Sequence, residues 1–388
     1  MTIVDFLKRP HSWQTQDFGE DYGVPSLHRS LAKCWERGHK QDIGIIHGWF
    51  INCSADKSVG MGALKHVGMV SWCAAIAACI GLFAWFGIDA IGNAVADAGW
   101  GTPFVALTRA ATVALSGLAW WLLFPPQTRL RPREAVLVRF VREGVNALLP
   151  LTQVGGDIIG ARLLTFWAVP GPLAAASIIV DVLMQAATLL VFAALGIVML
   201  LALGADVTVA RIAVIGLAVV AAIVVSIYLA QRAGGQRVLQ FLFARLKDAG
   251  NWRALSTVDA VCQSLSMIYM RKSNLLASGI LHLAGWLAGV GEVLIVLSFM
   301  GHPVSVGEAL VIESLVQFVR GAAFATPGAL GAQEAGLIML CGMFGVPPDQ
   351  AFALSLIKRA ADLVVGLPGL VALQVLEGKR LSAIIHAT

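Results

Sequence analysis

Six stretches of the chain stay apolar for twenty residues or more: 67–88, 103–124, 172–203, 210–230, 275–300 and 351–376. A helix needs about 20 consecutive apolar residues to cross the hydrocarbon core, so each stretch predicts a transmembrane helix. The runs are unbroken rather than alternating, which argues against a transmembrane barrel. The fold class expected is all-α: a polytopic membrane protein.

Two further regions are apolar in outline but interrupted by charge. Region 135–168 carries Arg139, Arg142, Glu143, Asn146, Asp157 and Arg162, and is broken by Pro150, Gly155 and Gly156. Region 304–345 carries Glu308, Glu313, Gln317, Arg320 and Glu334, and is broken by Pro327, Gly328 and Gly331. Proline and glycine at mid-segment interrupt a helix. The two breaks correspond. Pro150 precedes Asp157 by seven residues and Pro170 by 20, and Pro327 stands in the same relation to Glu334 and Pro347. A valine precedes each later proline (Val169, Val346), and an apolar span follows, carrying Ser177 and Asp181 in one copy and Ser355 and Asp362 in the other.

Charge then orients the segments. Arg129, Arg131 and Arg133 follow the second span, the loop 231–273 holds seven arginines and lysines, and Lys379 and Arg380 lie near the end, whereas 88–102 holds Asp89 and Asp97 and no Lys or Arg. Basic loops stay in the cytoplasm, which puts both termini there. On that count 135–168 enters and leaves from the cytoplasmic side, and 304–345 from the outer side. Each therefore reads as a re-entrant helical hairpin, and span–hairpin–span occurs twice, in halves 103–203 and 275–376 of opposite orientation. Inverted repeats with broken helices characterise many transporters. The alternative is a pair of ordinary kinked spans.

Composition agrees: 58% of residues are hydrophobic and only 13% charged, against about 25% charged in soluble domains. The net charge of +5 sits at span ends, so it marks a membrane and not a nucleic-acid partner. The six cysteines are scattered, with no C-x-x-C pair, which predicts lone thiols and no metal. No zinc-protease, hydrolase-elbow or phosphate-loop motif occurs, so no catalytic residue and no cofactor is assigned. Residues 1–60 differ: they are polar, with basic and acidic residues in equal number and no long apolar run. They read either as a cytoplasmic tail or as an upstream extension before a start at Met61. The domains expected are thus 1–60 and a transmembrane unit 61–388.

An ionisable group at mid-membrane costs about 2.5–3.5 kcal/mol on insertion scales, so those inside the spans call for a reason. Arg139, Arg142, Glu143 and Asn146 share one helical face, as do Glu313, Gln317 and Arg320. Lys358, Arg359 and Asp362 lie within a turn of one another; Asp181 and Gln185 are a turn apart; Glu292 and Arg109 stand alone. One reading is internal pairs that lock helices. The other is a substrate site comprising Arg142, Glu143, Asn146, Gly155, Gly156, Asp157, Arg162, Glu313, Gln317, Arg320, Gly328, Gly331, Glu334, Arg359 and Asp362, with Pro150 and Pro327 as structural breaks. Backbone N–H groups freed at the breaks, together with Arg142, Arg162 and Arg320, suit an anionic head.

At these residues the chain resembles a known family. Glu143–Arg162 reads E-G-V-N-A-L-L-P-L-T-Q-V-G-G-D-I-I-G-A-R and Ala325–Glu334 reads A-T-P-G-A-L-G-A-Q-E. These are similar to the N-x-L-L-P…G-(D/E)-x-x-R and P-x-x-x-G-x-x-E motifs of the lysylphosphatidylglycerol synthase transmembrane region, or flippase-like, family. The resemblance covers 67–376, and the Q-V-G-G-D form is most like the hopanoid-biosynthesis-associated branch. It implies movement of a lipid across a bacterial inner membrane. It also implies a synthase, but that chemistry belongs to a soluble domain beyond the membrane region, and only twelve residues follow Leu376. The expectation is a lipid transporter and not an enzyme, with lipid modification left open.

The reading is therefore an inner-membrane lipid flippase of six transmembrane helices and two hairpins. Its partners are a membrane lipid, the bilayer and proteins of lipid biosynthesis. Three rivals stand beside it: an ion-coupled carrier of a small solute, a membrane-embedded lipid enzyme, and an accessory subunit.

Overall fold

Long uninterrupted apolar runs leave a chain no economical backbone arrangement in lipid other than the helix, in which every peptide group is paired internally. The computed structural model describes residues 93, 96, 98–148, 155–204, 207–232, 252–323, 329 and 331–387. Among the described residues there are helices and short connections and no strand. The predicted span 67–88, the extension 1–60, Met61, Pro150, Pro327 and Gly328 lie outside them.

In chain order the helices are α1 (Gly101–Trp121), α2 (Pro132–Leu148), α3 (Gly155–Leu164), α4 (Gly171–Ala202), α5 (Val207–Arg232), α6 (Trp252–Met270), α7 (Lys272–Phe299), α8 (Val306–Ala322), α9 (Ala332–Gly342) and α10 (Pro348–Ala387). Five stretches, Gly101–Trp121, Gly171–Ala202, Ala210–Gln231, Lys272–Phe299 and Pro348–Arg380, are long and apolar enough to cross a membrane. They coincide with five of the six predicted spans.

The charged regions behave differently. Each is a helix of 17 residues, α2 or α8, followed by one of 10 or 11, α3 or α9. At 1.5 Å per residue these arms extend about 26 Å and about 16 Å, so neither reaches the roughly 30 Å of a hydrocarbon core. The arms of each unit pack on one another, α2 on α3 and α8 on α9. The start of α3 is tied back to α2 by Gly156 N–H, which donates to Asn146 Oδ1 at 2.8 Å. Gly156 also lies so close to the Arg142 carbonyl that no side chain fits there. α8 begins with a capping box, Ser305 and Glu308 each bonding the other's backbone N–H.

Helix packing follows a regular pattern. α1 packs on α7, and Arg271 and Asn274 at the start of α7 donate to the last carbonyls of α1, Leu122 among them. At the other end, Gly101 of α1 meets Phe299 of α7. These two helices therefore run antiparallel along their whole length. α2 packs on α10 and α8 on α4. The crossing of α2 with α10 is backbone against backbone: a Cβ at Gly144 would strike the Gly366 carbonyl, and one at Gly369 the Phe140 carbonyl. Small residues allow this close approach, as in other membrane helix pairs. On α8, Gly321 meets Leu189 of α4. The 177-residue shift that carries Pro150 onto Pro327 also carries Gly144 onto Gly321 and Leu189 onto Gly366. It further carries the first residue of α3 onto that of α9, and the first of α4 onto that of α10.

Two apolar cores result. One gathers α2 and α3, the first half of α4 (Leu173–Val180) and the far end of α10 (Leu370, Leu373), with α6 against them. The other gathers α8 and α9, the first half of α10 (Ala351–Ala361) and the second half of α4 (Phe192–Leu200). Where α4 and α10 pass from one core to the other, both become polar.

The region 231–273, read as a charged loop, contains the helix α6, which packs on α4 and α7. Its buried residues Val258, Ser264, Leu265 and Ile268 form a narrow inward face, while Met267 and Met270 stay exposed.

Candidate functional site

The polar layer between the cores holds two ionic clusters. The first is centred on Asp181 of α4, which is fully buried. Its Oδ2 accepts from Arg139 Nη1 and Arg142 Nη1 of α2, each at 2.9 Å, and from Gln185 Nε2 at 2.9 Å. Its Oδ1 lies 3.1 Å from Nε2 of His282, which α7 supplies from the other half of the chain. Arg139 also donates to Glu143 at 2.6 Å and to Gln185 at 2.8 Å. Arg142 grips Asp157, at the start of α3, through Nε and Nη2 at 2.9 and 2.6 Å. Its guanidinium lies 4.7 Å from the Trp120 ring centroid, and the Trp120 indole N–H donates to Ser177 Oγ at 3.2 Å.

The second cluster is centred on Lys358 of α10, whose ammonium reaches Glu292 at 2.7 Å and Glu313 at 2.8 Å. Gln317 donates to Glu313 at 2.8 Å. Asp362 is clamped between Arg109 and Arg320, both at 3.0 Å. Arg109 also stands 3.6 Å from Glu292. One turn away, Glu334 at the start of α9 bonds three ways: to the Gly331 N–H at 2.8 Å, to the Ser355 hydroxyl at 3.0 Å and to Arg359 at 2.8 Å.

The two centres occupy corresponding positions: the 177-residue shift carries Asp181 onto Lys358, each the eleventh residue of its span. One centre is an anion held by cations of α2, the other a cation held by an anion of α8. Where α2 is basic and α4 carries an aspartate, α8 supplies a glutamate and α10 a lysine.

The residues proposed from sequence fall out as follows. Arg142, Glu143 and Asp157 join the first cluster. Glu313, Gln317, Arg320, Glu334, Arg359 and Asp362 join the second. From α2, Asn146 holds the Gly156 N–H at the start of α3, which Gly155 opens, and Gly331 precedes α9 with a positive φ of 81° that suits glycine. The expected phosphate cradle of free N–H groups is partly occupied, because Asn146 and Glu334 each take one donor.

Arg162 departs from expectation. It points outward, with its side chain 46% exposed, and pairs with Glu377 at 3.0 Å. Asp157 and Arg162 are five residues apart on one helix, which turns them about 140° from each other, so they cannot face the same site. Asp157 and Glu334, expected to share a cluster, hold separate partners, Arg142 and Arg359.

His282 and Trp120 were not foreseen. A single histidine in an apolar run gives no spacing pattern, and its partner Asp181 lies 101 positions away. Among the described residues no group of His, Cys, Asp and Glu could hold a metal ion.

Membrane-crossing helices around a buried charged layer define a multi-pass membrane protein. The model of the lysylphosphatidylglycerol synthase TM region matches residues 72–369, and the chain belongs to that family, whose membership points to a lipid-related function. No curated protein and no solved structure matches the chain.

Proposed function

We propose that the protein is a flippase that carries the polar head of a lipid between its two helix–break–helix units while the acyl or polycyclic tail stays in the bilayer. The observation that carries this reading is the charged layer: two ionic clusters at the depth where α4 and α10 pass between apolar cores, each gripping the start of a short second arm through Asp157 or Glu334. Broken backbone and charge at such depth are tolerated where they are enclosed by protein or line a polar cavity. The antiparallel pairing of α1 with α7, the reciprocal packing of α2 on α10 and α8 on α4, and the shared 177-residue shift support an inverted repeat with re-entrant hairpins. Alternating access would then loosen one hairpin at a time. The same reading places the protein in a bacterial inner membrane with both termini cytoplasmic, makes it a transporter and not an enzyme, and puts hopanoids beside phospholipids among the lipids to try.

Reconstitution tests it. Asp157→Asn leaves Arg142 its contact with Asp181, and Glu334→Gln keeps one acceptor oxygen for the Gly331 N–H, with its amide turned to donate to Ser355 Oγ. Both variants are expected to melt within a few degrees of the wild type and to move fluorescent phospholipid or hopanoid at a tenth of its rate or less. Wild-type transport by both would sink the assignment.

A further inference from the structure

The ion pairs of the charged layer do not balance. Among the described residues, seven carboxylates (Glu143, Asp157, Asp181, Glu292, Glu313, Glu334, Asp362) face six arginine and lysine side chains (Arg109, Arg139, Arg142, Arg320, Lys358, Arg359). The surplus carboxylate is Glu143, whose side chain is 36% exposed; the six more deeply buried carboxylates match the six cations one for one, and a further charge in the layer is then expensive. The layer contains one more titratable group, His282, which is 3% exposed and bound to the carboxylate at the centre of the first cluster. A proton on its imidazole would place a third cation on the carboxylate that Arg139 and Arg142 already hold.

We propose that His282 is a proton-binding site that couples lipid movement to the proton gradient, an inference that rests on the flippase reading. With Nε2–H donated to Asp181 Oδ1, the incoming proton adds to Nδ1 of the neutral ring and makes an imidazolium. Asp181 has two oxygens: Oδ1 serves His282, and Oδ2 is shared by Arg139, Arg142 and Gln185. A cationic His282 draws the carboxylate toward α7 and weakens its hold on α2. Arg142 is then freed from Asp181 to meet a lipid phosphate, for which its planar fork is suited. Deprotonation restores the arginine contacts and expels the anion. Because α7 and α4 belong to different halves, this contact bridges elements that alternating access must move.

The surroundings favour this position. Ser278, one turn earlier on the same face of α7, is fully buried and its hydroxyl has no hydrogen-bond partner, which leaves an acceptor for a proton passing to or from the ring. The charged groups that α7 meets from its other neighbours are Arg109 on α1, Glu313 on α8, and Lys358 and Asp362 on α10. They gather about Glu292, ten residues and about 15 Å along the helix from His282. On α6, Tyr269 is turned to Gln231 and Tyr228 of α5 and Asp259 is exposed. Asp181 is thus the charged group in contact with the ring.

Two measurements on the full-length protein test this. The first follows fluorescent phosphatidylglycerol in phosphatidylcholine proteoliposomes under a gradient of one pH unit. One proton per lipid allows a transbilayer ratio of up to about tenfold. Wild type should build up a several-fold asymmetry that collapses with a protonophore, and His282→Gln none. The second is histidine nitrogen NMR of the protein in nanodiscs. Spectra are recorded from about pH 5 to about pH 8; the signal missing from the His282→Gln spectrum identifies this ring among the eight histidines, and that signal should shift as the ring gains a proton. A wild-type ratio that stays at unity while lipid equilibrates overturns the coupling and leaves the flippase reading standing. Absence of lipid movement in every lipid tried counts against the flippase. The proton site is then decided by NMR alone: a His282 signal that does not move over that range overturns it, whether or not the glutamine variant folds.

Discussion

Lys358→Met removes the only cation, among the described residues, within hydrogen-bonding distance of two buried carboxylates. Lys358 Nζ lies 2.7 Å from Glu292 and 2.8 Å from Glu313, and all three side chains are 1–2% exposed. Truncating one member of a buried ion pair costs about 3–5 kcal/mol, because the remaining charge has neither partner nor water. Here two charges are stranded. Glu313 keeps the Gln317 amide, and Glu292 keeps only Arg109 at 3.6 Å, with Oε1 already lacking a hydrogen-bond partner. A loss of about 4 kcal/mol follows, close to a thousandfold in the folded-to-unfolded ratio. Glu143→Gln provides the contrast: it disrupts an ion pair of 2.6 Å whose carboxylate side is 36% exposed, and exposed pairs contribute about 0–1 kcal/mol. The triple variant Lys358→Met, Glu292→Gln, Glu313→Gln removes all three charges and should recover most of the loss, as apolar or neutral replacements of whole buried ion groups do. The assay is thermal and denaturant unfolding of the purified variants in one detergent. If Lys358→Met melts with the wild type, or the triple variant is no better than the single, the stranded-charge argument is wrong.

Three further outcomes are expected. In a background without native cysteines, Gln127→Cys and Ala168→Cys should label from one face of the membrane and Pro303→Cys and Asp349→Cys from the other; labelling of either pair from opposite faces would make the units spans and not hairpins. Gly144→Ala, whose Cβ meets the Gly366 carbonyl, should lower stability by about 1–3 kcal/mol, whereas Gly378→Ala, in a helix with nothing within 4 Å, should raise it by about 0.5–1 kcal/mol; unfolding experiments that fail to separate them would refute the close crossing. Asn146→Leu should cost about 1–2 kcal/mol by leaving the Gly156 N–H without its acceptor, read as faster amide exchange at the start of α3 with no change at α9.

Hydrophobic pattern located five of the spans to within a few residues because in lipid the length of an apolar run and the length of a helix are set by the same bilayer thickness. It also marked the interrupted regions, since proline and glycine act on the backbone locally. It missed α6, where the buried residues among those described are Val258, Ser264, Leu265 and Ile268, packed against α4 and α7. Such a face is dictated by what the helix packs on, and nothing in 252–270 states the partner.

The charged residues show the same division more sharply. Residues near one another in sequence were assigned to one site, and that works only when they share a helical face: it holds for Arg139, Arg142 and Glu143 and fails for Asp157 and Arg162. Across the repeat, matching residue types recovers Asp157 with Glu334, which kept the same charge, but passes over Asp181 with Lys358, which did not. Yet the latter pair holds the same place in its helix, contacts α2 or α8 respectively and forms the centre of its cluster. On the inverted-repeat reading, a buried charge keeps its place and changes its sign, together with the sign of its partners. A search for identical or similar residues cannot detect that kind of equivalence, because what it preserves is complementarity between two helices. It emerges only once the shift found at the prolines is applied to positions that look unrelated. It also gives the two halves different chemistry: a carboxylate centre that a histidine can adjust, and a lysine centre that two carboxylates hold in place.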